Sequence, residues 1–395
     1  MQPTTRAPAV VSIPWLGDGL TLSAPETVHL AITARCNLAC PGCYVPPFIG
    51  AELTTAELRN LIDQWTQMRV FQLAVGGGET LLRQDLFDVL AYAREQGIVP
   101  NLTTNGTLLT SDAVRRLERT GVARVNLSWC GPGAREQSHA VVRALRLLLG
   151  STLRVGVNLL VTWALLPRLP QKLARLQALG VRQVTILRPK PPAIPSQVGA
   201  AWYAANRLCR ADLLRLRDVL NAWQGILHLE VDSALVGLMG DTDAAALRWR
   251  GIYGCTAGQR ICTVWPDGRV TPCSFLADMS DGSVHQTPFA ELWRRGKGWE
   301  ALRDTTAQPP CSAAARAAWP ATNAATRSPE TASAYTAGGK RDAHPERSRW
   351  LRHGSQHGGL PLHCPRQGHC LVCLLGWPAG RLRRRPGAGP DAVLS

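Results

Sequence analysis

Three cysteines lie within one short stretch, Cys36-Asn-Leu-Ala-Cys40-Pro-Gly-Cys43. Thiolates at these offsets in an irregular loop can each take one iron of a cubane 4Fe–4S cluster. A fourth iron is then left without a protein ligand and is open to substrate. A structural zinc site needs four ligands, usually from two Cys-x2-Cys pairs. No fourth Cys or His stands nearby, and the nearest upstream is His29, inside a presumed strand. The spacing favours cluster ligation over zinc or a set of inert buried thiols.

Two further motifs could do chemistry. In Gly76-Gly77-Gly78-Glu79 the glycines let backbone approach a ligand closely, and the carboxylate can meet an ammonium. A tight turn explains such a run about as well. Thr104-Asn105-Gly106 carries a turn signal, and an ordinary turn is its plain alternative. Ser128, Asn158 and Arg188 sit on or just after later apolar runs. They can face an interior ligand, with packing or surface roles equally open.

The elements that must position these residues follow from periodicity. Val28 to Thr33 reads as a buried strand running into the cysteines. Thr54 with Glu57 is a capping-box pattern that opens a helix over Ala56 to Met68. Strands are expected at Phe71–Val75, Val99–Thr103, Val125–Leu127, Leu153–Thr162 and Val184–Leu187. Helices are expected at Asp85–Glu95, Ser111–Arg119, Val141–Leu149 and Gln171–Leu179. A helix at Ala211–Ala222 and a strand at Leu227–Val231 finish this unit. Alternation at this spacing predicts an α/β fold with a parallel sheet, open or partly closed as a barrel. Active sites gather at the C-terminal ends of such strands, where all three motifs fall. Ile261–Val264, Pro266-Asp267-Gly268 and Val270–Pro272 then read as a β-hairpin, with Phe289–Arg295 a short helix after it. Beyond Pro310 periodicity gives way to Ala, Arg, Pro, Ser, His and Gly.

Composition bounds the function. At 395 residues the chain is one large domain plus a smaller one, or two to three modest domains, and 45% hydrophobic residues suffice for a core. No apolar run reaches the ~18 residues of a membrane span, and the first residues lack a secretory h-region. The expected location is the cytoplasm. The net charge of +16 raises nucleic acid as a partner, but 40 of the 44 basic residues are Arg, as a GC-rich coding sequence tends to give. Twelve basic and four acidic residues put +8 of that charge between Ser312 and Ser395. Specific nucleic-acid binding is therefore not the expectation. Twelve clustered Cys in a reducing compartment point to iron or metal ligation rather than to disulfides.

The segment CNLACPGCY at the end of a first strand resembles the radical S-adenosylmethionine (radical SAM) superfamily, over about Thr27 to Asp232. The resemblance implies a partial (βα)6 TIM-like barrel and a 4Fe–4S cluster on Cys36, Cys40 and Cys43. It implies that the open iron chelates S-adenosylmethionine, which is cleaved reductively to methionine and a 5′-deoxyadenosyl radical. It implies an electron donor such as ferredoxin or flavodoxin. Gly76, Gly77, Gly78 and Glu79 are similar to the family's GGE motif, with Thr80 in place of the usual Pro. Asn105 matches a turn near bound cofactor, and Ser128 a position that contacts ribose. Cys130 stands where relatives have an acidic residue. Relatives also place an aromatic residue or His before the third cluster Cys, against the adenine. Here that residue is Gly42, which shifts the expected contact to Tyr44 or to backbone.

A second cysteine set resembles the start of a SPASM domain, which binds auxiliary 4Fe–4S clusters in peptide-modifying enzymes. Cys255, twelve residues, Gly268, four residues and Cys273 fit its opening, and Cys262 between them reads as a packing residue. Cys311 falls where a compact Cys-rich run should begin, but Ser312-Ala313-Ala314 follows. Cys364, Cys370 and Cys373 come late and in another spacing. The break and the change of texture suggest a reading-frame change near Cys311. The alternative is a divergent tail with a metal site at His363, Cys364, His369, Cys370 and Cys373. The expected organisation is an extension over 1–26, the barrel over 27–232, a SPASM-like segment over 233–310 and an irregular tail over 311–395.

The resemblance implies an enzyme that modifies a ribosomally made peptide or a protein side chain. Modification of a tetrapyrrole (haem) side chain is the alternative among enzymes. A non-catalytic iron–sulfur or nucleic-acid-binding protein is the alternative from another class. A ligand-type glycine motif beside the cysteines argues against that last reading.

Overall fold

The computed structural model describes residues 22–45, 50–129, 135–190, 197–233, 235, 256–280, 282–296, 299 and 302–303. Cys130, Cys255, Cys311 and the His and Cys residues of the 363–373 stretch lie outside the described residues.

Strand and helix alternate from the first described element. They are β1 (Thr27–Thr33), α1 (Thr55–Gln67), β2 (Gln72–Gly77), α2 (Leu86–Glu95), β3 (Val99–Thr104) and α3 (Ser111–Arg119). Next come β4 (Arg124–Trp129), α4 (Arg135–Leu149), β5 (Val155–Leu160), α5 (Leu169–Ala178) and β6 (Gln183–Leu187). Two helices, α6 (Gln197–Asn206) and α7 (Arg210–Trp223), precede β7 (His228–Val231), followed by β8 (Ile261–Val264), β9 (Val270–Thr271) and α8 (Phe289–Arg295). The capping box at Thr54 and Glu57 forms as the sequence predicts, and α1 buries Leu58, Leu61, Ile62 and Trp65 at helical spacing.

The strands build one sheet in the order β7-β6-β5-β4-β3-β2-β1-β8-β9. Every neighbouring pair from β7 to β8 is parallel, and only β8 with β9 is antiparallel. Alternate side chains sort to two faces. One face carries Val28, Leu30, Leu73, Val75, Leu102, Val125, Leu127, Val157, Leu159, Val184 and Ile186, all buried. The other face is half-buried and largely polar, with His29, Asn101, Thr103, Arg124, Asn126, Ser128, Gln183 and Thr185.

The sheet curls so that this polar face becomes an interior. On a flat sheet β6 and β9 would stand seven strand spacings, about 33 Å, apart. Yet the Lys190 ammonium, just past β6, lies 4.1 Å from the ring centroid of Phe275, just past β9. Across the interior, Arg124 of β4 pairs with Glu230 of β7 at 3.1 Å. Burial works to raise the Glu230 pKa, but hydrogen bonds from Arg124, Thr185 and Gln183 outweigh it and hold the carboxyl below its ordinary value.

The fold departs from sequence expectation in three places. Helix α4 begins six residues before the expected Val141. Helix α6 was not anticipated, because QVGAAWYAAN has no polar stripe to set a helical period. The parallel pairing of β8 with β1, Ile261–Val264 on Thr27–Leu30, was not anticipated either. Among the described residues no helix is long and apolar enough to cross a membrane.

His29 projects from β1 into this interior. Desolvation there, reinforced by the Lys190 cation, lowers its pKa from 6.5 to about 4. The depressed value means that the unfolded chain takes up a proton which the fold refuses. Stability is therefore complete above pH 6.5 and is lost progressively as pH falls from 6.5 toward 4. Replacing His29 by Gln should remove that part of the acid sensitivity. Denaturant titrations at pH 7 and pH 5 check this, and an equal loss in both proteins would count against it.

Candidate active site

The cysteine loop leaves the end of β1, and the ends of its neighbours grip it residue by residue. Glu52 accepts hydrogen bonds from the Thr33 hydroxyl (2.7 Å) and the Ala34 amide (2.9 Å). The Gly78 amide donates to the Thr33 carbonyl and the Glu79 amide to the Arg35 carbonyl, both at 2.8 Å. Such closeness forbids side chains at positions 77 and 78, where β2 ends. Gly77 has φ +114°, and a Cβ there would lie 2.5 Å from the Thr33 carbonyl oxygen. A Cβ on Gly78 would lie 2.1 Å from the Arg35 carbonyl oxygen. At Gly76 the nearest atom is the Tyr44 hydroxyl at 3.7 Å, an ordinary contact. The second and third glycines thus answer to the chain's own backbone.

Glu79 is fully buried. One carboxylate oxygen accepts from the Thr104 hydroxyl (2.6 Å) and the Leu81 amide (3.1 Å), and the other from the Asn105 amide (2.8 Å). It clamps the end of β2 to the end of β3. Asn105 carries the chain of contacts onward, because its Nδ2 donates to the Asn37 side-chain oxygen at 3.0 Å and lies 3.9 Å from Cys36 Sγ. Asn37 in turn donates to the Thr107 hydroxyl at 2.8 Å. The glycine–Glu motif, the Asn105 turn and the cysteine loop therefore form one interlocked rim.

Sequence reasoning missed two residues of this support. Arg83 is buried and donates to the carbonyls of Ile32 (2.9 Å) and Leu53 (2.6 Å), and to Asp85 (2.6 Å). Burial alone would raise the Asp85 pKa, but Arg83 and the Thr55 hydroxyl hold it below the ordinary value. Glu52 is the second. Neither carries a motif, and in so Arg-rich a chain one more Arg gives no signal.

Solvent reaches Cys36 and Cys43, while Cys40 is half-buried. The Cys43 amide donates to the Cys40 carbonyl at 3.1 Å, which tightens the end of the loop. Burial, and then the charges of Cys43 and Cys36, push the Cys40 thiol up to about 11. Burial also raises Cys43. A strongly positive centre deprotonates thiols on binding, so the raised Cys40 and Cys43 suit such a centre. Among the described residues no three His, Cys, Asp or Glu side chains converge on a single-ion point. A cubane needs no such convergence, because each thiolate takes its own corner. The donor set thus fits a 4Fe–4S cluster and not a lone zinc.

The rest of the mouth brings together residues far apart in sequence. The Tyr44 ring meets Phe275 at 5.2 Å between centroids, and Lys190, beneath which Phe275 lies, pairs with Asp232 at 2.6 Å. The Trp202 indole lies against Gly42. Ser128 and Asn158 are register partners on the interior face. The Nε of Arg188, just beyond β6, is buried without a hydrogen-bond partner among the described residues, a donor that a bound anionic group would satisfy. In the C-terminal segment Cys273 is half-buried and packs with Ala257, Leu276 and Leu302. The Gly258 amide donates to the Pro272 carbonyl at 3.1 Å, which draws the chain just after Cys255 onto Cys273. Cys262 is buried in β8 as a packing residue.

Comparison with protein-family models matches residues 30–132 to the radical SAM superfamily and residues 255–313 to the SPASM iron–sulfur cluster-binding domain. The chain thus carries a segment similar to the radical SAM domain and, after it, one similar to the SPASM domain. The two matched segments are those whose cysteines were singled out from spacing, and the second match stops two residues after Cys311. These domains bring 4Fe–4S clusters and S-adenosylmethionine as cofactors. Among curated proteins, the chain is 29% identical over 317 residues to a PqqA peptide cyclase of Gluconobacter oxydans, covering 75% of this chain and 85% of that one. It is 26% identical over 319 residues to an AdoMet-dependent heme synthase of Methanosarcina barkeri, covering 71% and 86%. Among solved structures, Streptococcus suis SuiB bound to its precursor peptide SuiA superposes with a TM-score of 0.60 at 15% identity, over 72% of this chain and 68% of that chain. The anSMEcpe structure with bound AdoMet gives 0.56 at 18% identity, over 69% and 82%. At these identities the structures bear on the fold alone, and they agree with the curled parallel sheet.

The contacts around the glycine run set up a contrast. Changing Gly78 to Ala should lose the close backbone approach, cost about 2 kcal/mol or more, and lower the iron bound on reconstitution. Changing Gly76 to Ala should leave stability and iron content near wild type. Thermal melts and iron assays on both variants check this, and equal behaviour would contradict the assignment.

Proposed function

We propose that this chain is a radical SAM enzyme that modifies a ribosomally made peptide or a protein side chain. The observation that carries the reading is the three-cysteine loop, held by the rim of β2 and β3 over a polar, half-open interior. Cys36, Cys40 and Cys43 would hold the cluster. When bound, that cluster supplies the electron that cleaves S-adenosylmethionine to methionine and a 5′-deoxyadenosyl radical.

The chain's own residues do the rest. Glu79 and Asn105 fix the loop. Gly76 leaves room beside Tyr44, and Ser128, Asn158 and Arg188 line the interior where cofactor and substrate enter. Phe275 and Lys190 close the open side of the barrel against water. Cys255 and Cys273 of the 233–310 segment, with Cys311 just beyond it, are the proposed ligands of an auxiliary cluster, and 311–395 is a frame-changed tail. A cytoplasmic location and a ferredoxin- or flavodoxin-type donor complete the proposal. Peptide chemistry is favoured by the similarity to PqqA peptide cyclases. Similarity to AdoMet-dependent heme synthases supports a second reading, modification of a tetrapyrrole side chain.

Anaerobic reconstitution followed by dithionite and S-adenosylmethionine should give 5′-deoxyadenosine and methionine. Changing Cys40 to Ala should abolish both the brown chromophore and turnover. Turnover that survives this change would refute the site. Faster 5′-deoxyadenosine formation with a short peptide encoded beside the gene favours the peptide reading, and stimulation by a tetrapyrrole favours the second.

A further inference from the structure

Gly42 stands immediately before the third cysteine of the loop. A Cβ at that position would lie 2.3, 2.5 and 2.7 Å from three ring carbons of Trp202. Cβ atoms do not approach other atoms so closely, so the indole fills the volume that a side chain at position 42 would take. The ring comes from α6, more than 150 residues further along the chain.

Helix α6 is anchored on the same rim. The carbonyl of Asn206, its last residue, accepts the Trp163 amide at 3.0 Å, three residues past β5. The Asn206 side-chain Nδ2 donates to the Trp202 carbonyl at 2.9 Å, which stiffens the turn bearing the indole. Trp202 lies four residues, about one turn or 6 Å, before that anchor, and its ring reaches Gly42 beside Cys43. Trp202 is half-buried, so part of the ring stays accessible. Tyr44, the loop's own aromatic, is turned instead toward Phe275 and Gly76.

We propose that Trp202 is the aromatic wall of the S-adenosylmethionine site and that it takes the face of the cofactor's purine. The assignment rests on the functional reading above. The cofactor's amino and carboxylate groups belong at the open iron, and its flat purine needs an apolar face within a few ångströms of the same loop. An indole packed one residue from Cys43 offers that face. Stacking of a base on an aromatic ring is worth about 1–3 kcal/mol by alanine substitution, or about 5- to 150-fold in affinity. Glycine at position 42 is then a requirement, because the wall arrives from another helix.

The test measures S-adenosylmethionine affinity by equilibrium dialysis on the reconstituted full chain, with iron content measured on each sample. Trp202→Ala should weaken binding about tenfold at unchanged iron, and Trp202→Phe should stay within about threefold of wild type. Gly42→Phe combined with Trp202→Ala moves the ring onto the loop and should bind more tightly than Trp202→Ala alone. Wild-type affinity in Trp202→Ala would overturn the proposal. So would loss of iron in step with loss of binding, which marks a merely structural role, or a double variant no tighter than the single. A wild-type chain that takes up iron yet does not bind S-adenosylmethionine would overturn the functional reading itself, and this assignment with it.

Discussion

Two backbone hydrogen bonds of 2.8 Å, from the Gly78 amide to the Thr33 carbonyl and from the Glu79 amide to the Arg35 carbonyl, bring the end of β2 against the root of the cysteine loop. A loop that must present three thiols has little regular structure of its own. Its shape has to be imposed from outside, and backbone contact imposes it most rigidly. The approach is closer than any side chain tolerates, which is why glycines occupy positions 77 and 78. The buried Glu79 carboxylate then passes the constraint to β3, and Asn105 returns it to Cys36 and Asn37.

Electrostatics makes the same loop a receptor. Burial, and then the charges of Cys43 and Cys36, hold the Cys40 thiol near 11. Around them the charges are paired, with Arg83 on Asp85 and Lys190 on Asp232.

Much of this was legible in the sequence, for physical reasons. Capping at Thr54 is local, so α1 was read to within a residue. The cysteine spacing is local too, as is the Pro266-Asp267-Gly268 turn, where Gly268 takes φ +75°. For the glycine–Glu motif the structure adds contacts within the protein that the spacing did not show, from Gly77, Gly78 and Glu79 to the cysteine loop and β3. What escaped were pairings that depend on tertiary approach. Arg83 reaches three carbonyl and carboxylate partners from an unremarkable position, β8 pairs with β1 across more than 200 residues, and Trp202 arrives over Gly42 from a helix without amphipathic period. Gly42 was noticed as a missing side chain, but nothing local says which distant ring fills the gap.

The most direct test of the central claim is the electron paramagnetic resonance spectrum of the dithionite-reduced, reconstituted chain, recorded with and without S-adenosylmethionine. The account predicts a 4Fe–4S signal that changes shape when the compound is added, because one iron is open to it, and whose responsive component is absent when Cys43 is changed to Ala. A signal indifferent to S-adenosylmethionine, or a responsive one that survives the loss of Cys43, would contradict it.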